Sequence, residues 1–184
     1  NNSAFSGTIG LPLPGIDIAI KDEDGHDVSL GDAGEICIRG PNVTPGYYQQ
    51  PQENALAFTA DGFLRTGDIG MMDREGYTRI IDRKKDMILV SGFNVYPNEI
   101  ENVISLCPGV LECAAIGVAD AQQGEAVKVF VVRSDPSLTE EAVLRHCHDN
   151  LTGYKRPRSI EFRDDLPKTN VGKVLRRQLR STTP

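Results

Sequence analysis

Between residues 8 and 82 the chain meets a turn-forming residue every few positions, and that punctuation favours short strands over long helices. Ile16-Asp17-Ile18-Ala19-Ile20 alternates apolar with small or polar residues, and Asp24-Gly25 follows as a hairpin turn signal. Gly34-Glu35-Ile36-Cys37-Ile38-Arg39-Gly40 alternates again, with glycine at both ends. Asp61-Gly62, Thr66-Gly67-Asp68 and Glu75-Gly76 divide the remainder, and Tyr77 to Asp82 reads as a closing strand. The pattern predicts a partial antiparallel sheet or a distorted barrel.

After Asp82 the texture changes. A basic run, Arg83-Lys84-Lys85, precedes the apolar strand Met87-Ile88-Leu89-Val90. Pro97 stands where a helix can start, and Glu99, Ile100, Glu101, Val103 and Ile104 continue it at helical spacing. Val110 to Val118 and Ala126 to Arg133 are β-rich. Ser137 reads as the cap of a second helix with Glu140 three residues on. Ser159 to Arg163 is a short strand, and Lys173 to Arg180 reads as a final basic helix. The fold class expected is α+β, with a β-rich region over 1–84 and a small mixed α/β domain over 85–184.

Charge divides near the same place. Residues 1–82 hold 13 acidic and 5 basic residues, a balance of -8, whereas 83–184 hold 13 and 15, a balance of +2. A basic tail on an acidic chain fits capture of an anionic ligand and argues against general nucleic-acid binding, which wants a basic domain. Apolar residues at 39% and charged residues at 25% predict a soluble globular chain, and no window approaches the roughly 20 apolar residues of a membrane span. The start, Asn1-Asn2-Ser3-Ala4-Phe5, lacks the basic and apolar segments of a secretory leader. Cys37, Cys107, Cys113 and Cys147 form no CxxC pair, so free thiols in a reducing cytoplasm are expected. His146-Cys147-His148 looks like a metal cluster, but alternate residues on a helix point to different faces. No residue is assigned to a metal.

Three segments carry chemistry. Thr66-Gly67-Asp68, read as a tight turn, presents a carboxylate suited to accept hydrogen bonds from two ribose hydroxyls; the plainer alternative is an Asx turn between strands. Arg83-Lys84-Lys85-Asp86 and the following Ser91-Gly92-Phe93-Asn94-Val95-Tyr96-Pro97 sit at the change of texture, where Gly92 lets a backbone approach a thin ligand closely. Alternating charge there also suits plain solvated surface. Pro167-Lys168-Thr169-Asn170-Val171-Gly172-Lys173 contains a Gly-Lys pair but lacks the P-loop's earlier glycine and following Ser or Thr. Lys173 reads as a long-armed cation on a Gly-flexed turn, or as a solvated lysine.

In this order and spacing the three segments resemble the C-terminal part of the adenylate-forming enzymes, the AMP-binding superfamily of acyl-CoA synthetases, luciferases and peptide-synthetase adenylation domains. Within them the chain resembles the bacterial long-chain fatty-acid–CoA ligases. Asp61 through Lys85 matches the 25-residue signature of fatty acyl-CoA synthetases at equal length, and Leu151-Thr152-Gly153-Tyr154-Lys155 is similar to the same subgroup. Phe63 and Met72 stand where that signature usually has tryptophan, and Arg65 where it often has histidine.

The resemblance implies an acid–thiol ligase that makes an acyl-adenylate from a fatty acid and Mg2+-ATP, then passes the acyl group to coenzyme A. It implies that residues 1–84 are the C-terminal β-rich part of a large adenylation domain, and that 85–184 are a mobile domain of the acyl-CoA synthetase type. Asp68 would hold the ribose and Arg83 the ribose and α-phosphate region of ATP or AMP. Lys173 would be the adenylation lysine, Lys85 the hinge, and Ser91 and Gly92 the lining of the CoA tunnel. The partners are fatty acid, ATP and CoA, with no nucleic acid. A cytoplasmic ligase with peripheral contact at the inner face of the membrane, or a homodimer, fits the same family. A Ser/Thr/Gly-rich phosphate loop and a Tyr-Gly-x-Thr-Glu segment are missing, so a C-terminal fragment without ligase activity of its own is expected. The alternatives are an adenylate-forming ligase for another carboxylic acid and a non-catalytic module binding anions or membranes.

Overall fold

A computed structural model describes residues 7–181. The segment read for a leader, 1–5, lies outside them. Contacts divide the chain into two units, Asn1–Lys85 and Asp86–Pro184.

In the first unit the alternating runs become β1 (Asp17–Lys21) and β2 (Gly34–Arg39), joined to β3 (Leu64–Met72) and β4 (Thr78–Arg83) in one antiparallel sheet. The hydrogen-bonded path follows chain order, β1-β2-β3-β4, so the sheet form is what the turn pattern encodes. After β1 the chain reverses at Asp24-Gly25: Gly25 has φ +88, and the Asp22 N–H donates to the His26 carbonyl at 2.9 Å. Gly70 packs under β2, where a Cβ would meet Ile36 Cδ1 at 2.5 Å. Helix α1 (Pro51–Ala57) buries no residue. Its start signals, Pro51 in the first turn and Glu53 behind it, lie among turn residues, which hide the helix in the sequence pattern.

Thr66-Gly67-Asp68 is not a turn. It lies inside β3, where the register with β2 slips between Glu35 and Cys37 and that with β4 between Ile69 and Gly70. Gly67 at φ +73 takes up the distortion, as glycine does in bulges. A turn and a bulge both call for glycine; pairing on both sides of the strand selects the bulge.

The second unit begins with β5 (Ile88–Val90) and β6 (Phe93–Val95), a hairpin turning at Ser91-Gly92, followed by α2 (Pro97–Ser105). The long hairpin β7 (Val110–Asp120) and β8 (Gly124–Arg133) forms its centre. Helix α3 (Glu140–Asn150), β9 (Ser159–Arg163) and α4 (Arg176–Ser181) complete it. The sheet runs β6-β5-β8-β7, with β9 parallel to β8. Alternation along β8 explains the two layers: Val127, Val129 and Val131 face a core with Ile100 and Ile104 of α2 and Val143 and Cys147 of α3. Phe130 and Val132 face the other side, against Leu166 and Leu179 of α4. A strand buried on both faces reads as a nearly continuous apolar run, which is why 126–133 is apolar apart from Lys128 and Arg133.

Two boundaries shift. Thr139, not Ser137, caps α3: its hydroxyl accepts from the Ala142 N–H at 3.3 Å, whereas the N–H and hydroxyl of Ser137 both go to Asp135 Oδ1 at 2.8 Å. The final helix starts at Arg176, because residues 168–174 form a hairpin closed by a Lys168–Val174 bridge. Among the described residues no helix is long and apolar enough to cross a membrane.

Candidate active site

Two adjacent strands bring together the first pair of site residues. Asp68 and Arg83 are register partners on β3 and β4, and Arg83 Nε lies 2.7 Å from Asp68 Oδ1. The second carboxylate oxygen of Asp68 has no hydrogen-bond partner among the described residues. The pair is therefore a half-satisfied acceptor beside a guanidinium, the polarity that a ribose diol next to a phosphate requires.

The bulge holding Asp68 is fixed by Glu35 of β2, which the sequence pattern marks only as a strand position. Glu35 is 5% exposed and accepts three hydrogen bonds: from Gly67 N–H at 3.1 Å, Arg65 Nη1 at 3.0 Å and Lys84 Nζ at 3.0 Å. Burial would raise the Glu35 pKa, but the bonds from Lys84 and Arg65 outweigh it and hold the carboxyl below its ordinary value. Arg65 thus pairs with a buried carboxylate. The signal that could have exposed Glu35 was a carboxylate on an apolar strand, since unpaired carboxylates are rarely buried. A cavity of about 680 Å³ lies alongside, lined by Glu35, Tyr47, Arg65, Thr66, Gly67 and Lys84.

Phe63 is a buried aromatic flanked by cations. Its buried ring lies between Lys21 Nζ at 5.0 Å and Arg39 at 4.3 Å. Lys21 in turn is tied to Asp27 at 2.7 Å and Asp61 at 2.9 Å. Burial alone would lower the Lys21 pKa, but the two carboxylates raise it.

In the second unit Ser91 and Gly92 form the exposed β5–β6 turn, both with positive φ, +51 and +83. Ser91 N–H donates to the Gln123 carbonyl at 2.9 Å, which fixes this left-handed backbone, and beside the turn Phe93 and Tyr154 stack at 4.6 Å. Lys173 lies on the 168–174 hairpin, exposed, with its backbone closed by Thr169: Lys173 N–H donates to Thr169 Oγ1 at 3.1 Å, and its carbonyl accepts from Thr169 N–H at 2.7 Å. The Ser91–Gly92 turn precedes β6 and the Lys173 hairpin precedes α4, so they occupy different parts of that unit. Lys85, exposed, makes no side-chain hydrogen bond or ion pair among the described residues. Its neighbours are held: Lys84 by Glu35, and Asp86 by Arg176 and Arg180.

The cysteines are all free thiols, and burial pushes them up, Cys37 and Cys147 to about 11 and Cys113 to about 12. Helix α3 sends His146 Nε2 to the Val103 carbonyl at 2.9 Å, buries Cys147 and exposes His148, so that triplet does not converge. Asp22, Asp24 and His26 do converge, within 4.8 Å, on an exposed turn where Asp22 Oδ1 already accepts the His26 N–H at 2.8 Å.

Known proteins are similar to this chain in sequence and fold. The family described as AMP-binding enzyme C-terminal domain matches residues 99–173, and the AMP-binding enzyme family matches residues 1–48. A long-chain-fatty-acid–CoA ligase of Yersinia pestis is 60% identical over 176 residues, covering 96% of this chain and 31% of its own length. The ATP-bound MatB of Rhodopseudomonas palustris superposes with a TM-score of 0.90 at 42% identity, over 96% of this chain and 35% of that one. The o-succinylbenzoate CoA synthetase MenE of Bacillus subtilis, in complex with its acyl-adenylate intermediate, gives 0.84 at 33% identity, over 95% and 35%. The chain thus spans about a third of the length of the curated relatives it matches. Two family matches on one chain, with the same fold in enzymes that bind ATP and an acyl-adenylate, show that this chain belongs to the AMP-binding, adenylate-forming enzyme family.

Proposed function

We propose that these residues serve a long-chain fatty-acid–CoA ligase, which turns ATP, a fatty acid and CoA into acyl-CoA, AMP and diphosphate through an acyl-adenylate. The observation that carries the reading is the Asp68–Arg83 pair, a carboxylate and a guanidinium 2.7 Å apart on a bulge pinned by a buried glutamate. The 60% identity to a long-chain ligase supports the choice of acid.

In the first step the fatty acid's carboxylate attacks the α-phosphate and pyrophosphate leaves. Asp68 accepts hydrogen bonds from the ribose hydroxyls, and Arg83 holds the ribose and α-phosphate region. The exposed ammonium of Lys173, on a hairpin closed by Thr169, offsets the charge gathering on the phosphate oxygens. Magnesium would supply further positive charge to the phosphates; no residue here is assigned to hold it. In the second step the thiol of CoA attacks the acyl carbonyl and AMP leaves. The Ser91–Gly92 turn, with two small residues and an exposed backbone, suits the passage of the thin pantetheine arm. Lys85 is the pivot at which a change between the two steps would be absorbed, since hinges are a few linker residues that take up the dihedral change. A ligase drawing fatty acid from the membrane would be cytoplasmic and touch the inner face peripherally.

The test uses the whole ligase, assayed for ATP–pyrophosphate exchange with palmitate or oleate beside aryl, amino and medium-chain acids. Lys173→Ala is expected to cut exchange by about 100-fold while preformed acyl-adenylate still yields thioester. Equal loss of both half-reactions removes Lys173 from this role. Preference for an aryl acid would instead support a ligase for another carboxylic acid, the reading that similarity to MenE favours.

A further inference from the structure

Arg176 opens α4 three residues after Lys173, and it is 16% exposed. Its guanidinium makes a two-point contact with Glu101 of α2, Nε to Oε1 at 3.1 Å and Nη2 to Oε2 at 2.7 Å. Nη2 also donates to Asn98 Oδ1 at 2.9 Å, and Nη1 lies 3.6 Å from Asp86 Oδ2. Glu101 is itself anchored, since its Oε1 accepts the N–H of the fully buried Ala115 in β7 at 2.8 Å. Asp86 is further held by Arg180 Nη1 at 3.2 Å. One side chain therefore joins three places: the base of the Lys173 hairpin, the helix–sheet core, and the residue that follows Lys85.

The hairpin cannot orient itself. Its internal bonds, Thr169 to Lys173 and Gly172 to Thr169, close the loop but do not tie it to the sheet. Its attachments are apolar at Leu166, Val174 and Leu179, which fix position through packing, and ionic at Lys168, whose Nζ lies 2.7 Å from Glu112 Oε1 of β7, and at Arg176. A planar guanidinium held at two points fixes direction in a way that apolar contacts, or the point charge of Lys168 on its flexible stem, do not.

We infer that Arg176 is a positioning residue for Lys173, setting the direction of the adenylation lysine relative to the chain that leaves Lys85. The inference rests on the ligase reading and on the role proposed there for Lys173. Misplacing a catalytic group by about 1 Å costs on the order of 100-fold, whereas groups serving only the other step are not affected.

The experiment compares Arg176→Gln, Arg176→Lys and Lys173→Ala in the whole ligase. Both half-reactions, the KM for ATP and the thermal midpoint are measured. Arg176→Gln is expected to lower the kcat of pyrophosphate exchange by about tenfold or more, with thioester formation from preformed acyl-adenylate within about twofold and KM for ATP little changed. Arg176→Lys is expected to recover part of the loss. Equal loss in both half-reactions, or no loss in exchange, overturns the inference. If Arg176→Gln does not fold, Arg176→Lys carries the same test, with loss confined to exchange as the supporting result. Absence of exchange in the unsubstituted ligase with every acid overturns the ligase reading; exchange left intact by Lys173→Ala overturns the role of Lys173 and the inference with it; if Lys173→Ala abolishes exchange and Arg176→Gln does not lower it, only the role of Arg176 fails.

Discussion

The two units solve the burial problem in different ways. Residues 86–181 enclose a central sheet between helices, with a cluster of fifteen buried residues on one face and six on the other. In residues 7–85 the buried apolar set is Ile20, Ile36, Cys37, Phe63 and Ile69, and it shares the interior with Lys21, Glu35 and Asp82. That unit also exposes Leu11, Leu13, Leu30, Tyr48 and Leu56. Hydrophobic transfer is non-directional and fills the second unit's core, whereas paired charges are directional and fix the first unit's geometry. The difference suits their proposed tasks, since a residue that must point at a ribose gains from neighbours that dictate direction.

Deleting apolar volume where it is densest should produce the largest effect. Phe130 is fully buried among Ile116, Val132, Leu166 and Leu179, with Arg163 4.4 Å from its ring. Phe130→Ala is expected to destabilise residues 86–181 by about 3–5 kcal/mol. Hydrogen exchange should show loss of protection in β7 and β8 while β1 to β4 keep theirs. Equal loss in both sheets would break the contrast between the units. A smaller effect of opposite location is expected from Glu35→Gln. It preserves volume and the Gly67 bond but removes the charge that Arg65 and Lys84 meet, costing about 1–3 kcal/mol. Here β2 and β3 should exchange faster and β7 and β8 should not.

The same contrast governs what could be read from the sequence. Strands β1, β2, β4, β7, β8 and β9 and helices α2 and α3 are written as periodicity, because apolar burial imposes a period on the chain. Directional features leave weaker marks. Gly67 announces a special backbone but not whether it turns or bulges, since that depends on partners 30 residues away in β2. Ser137 and Thr139 are equally good caps on paper, and the choice falls to Asp135, which occupies Ser137. The Gly172–Lys173 pair marks the hairpin, but its anchor, Arg176, reads as one more basic residue until Glu101 and Asp86 are seen around it. Glu35 is legible only as an anomaly on an apolar strand. Site residues Asp68, Arg83, Ser91, Gly92 and Lys173 came through motif resemblance, and the charges orienting them came only from the fold.

The smallest effect isolates a single half-exposed charge. The Thr59 hydroxyl and then Lys21 hold the Asp61 carboxyl down at about 2, against an ordinary 3.8. A depressed pKa means that the folded chain prefers the anion, so the stabilisation is present above about pH 4 and disappears as pH falls toward 2. Glu35 is lowered as well, so the wild-type chain loses stability on acidification from more than one source. Asp61→Asn separates them. Urea midpoints measured between pH 6 and pH 2 should show the variant slightly weaker at the upper end, with the gap closing as the wild type protonates. Lys21, raised above 10.5, stays charged throughout and cannot mimic this slope. A gap that stays constant with pH would mean that Asp61 acts through shape or hydrogen bonding alone, and that the charge lattice of the first unit does not reach its exposed rim.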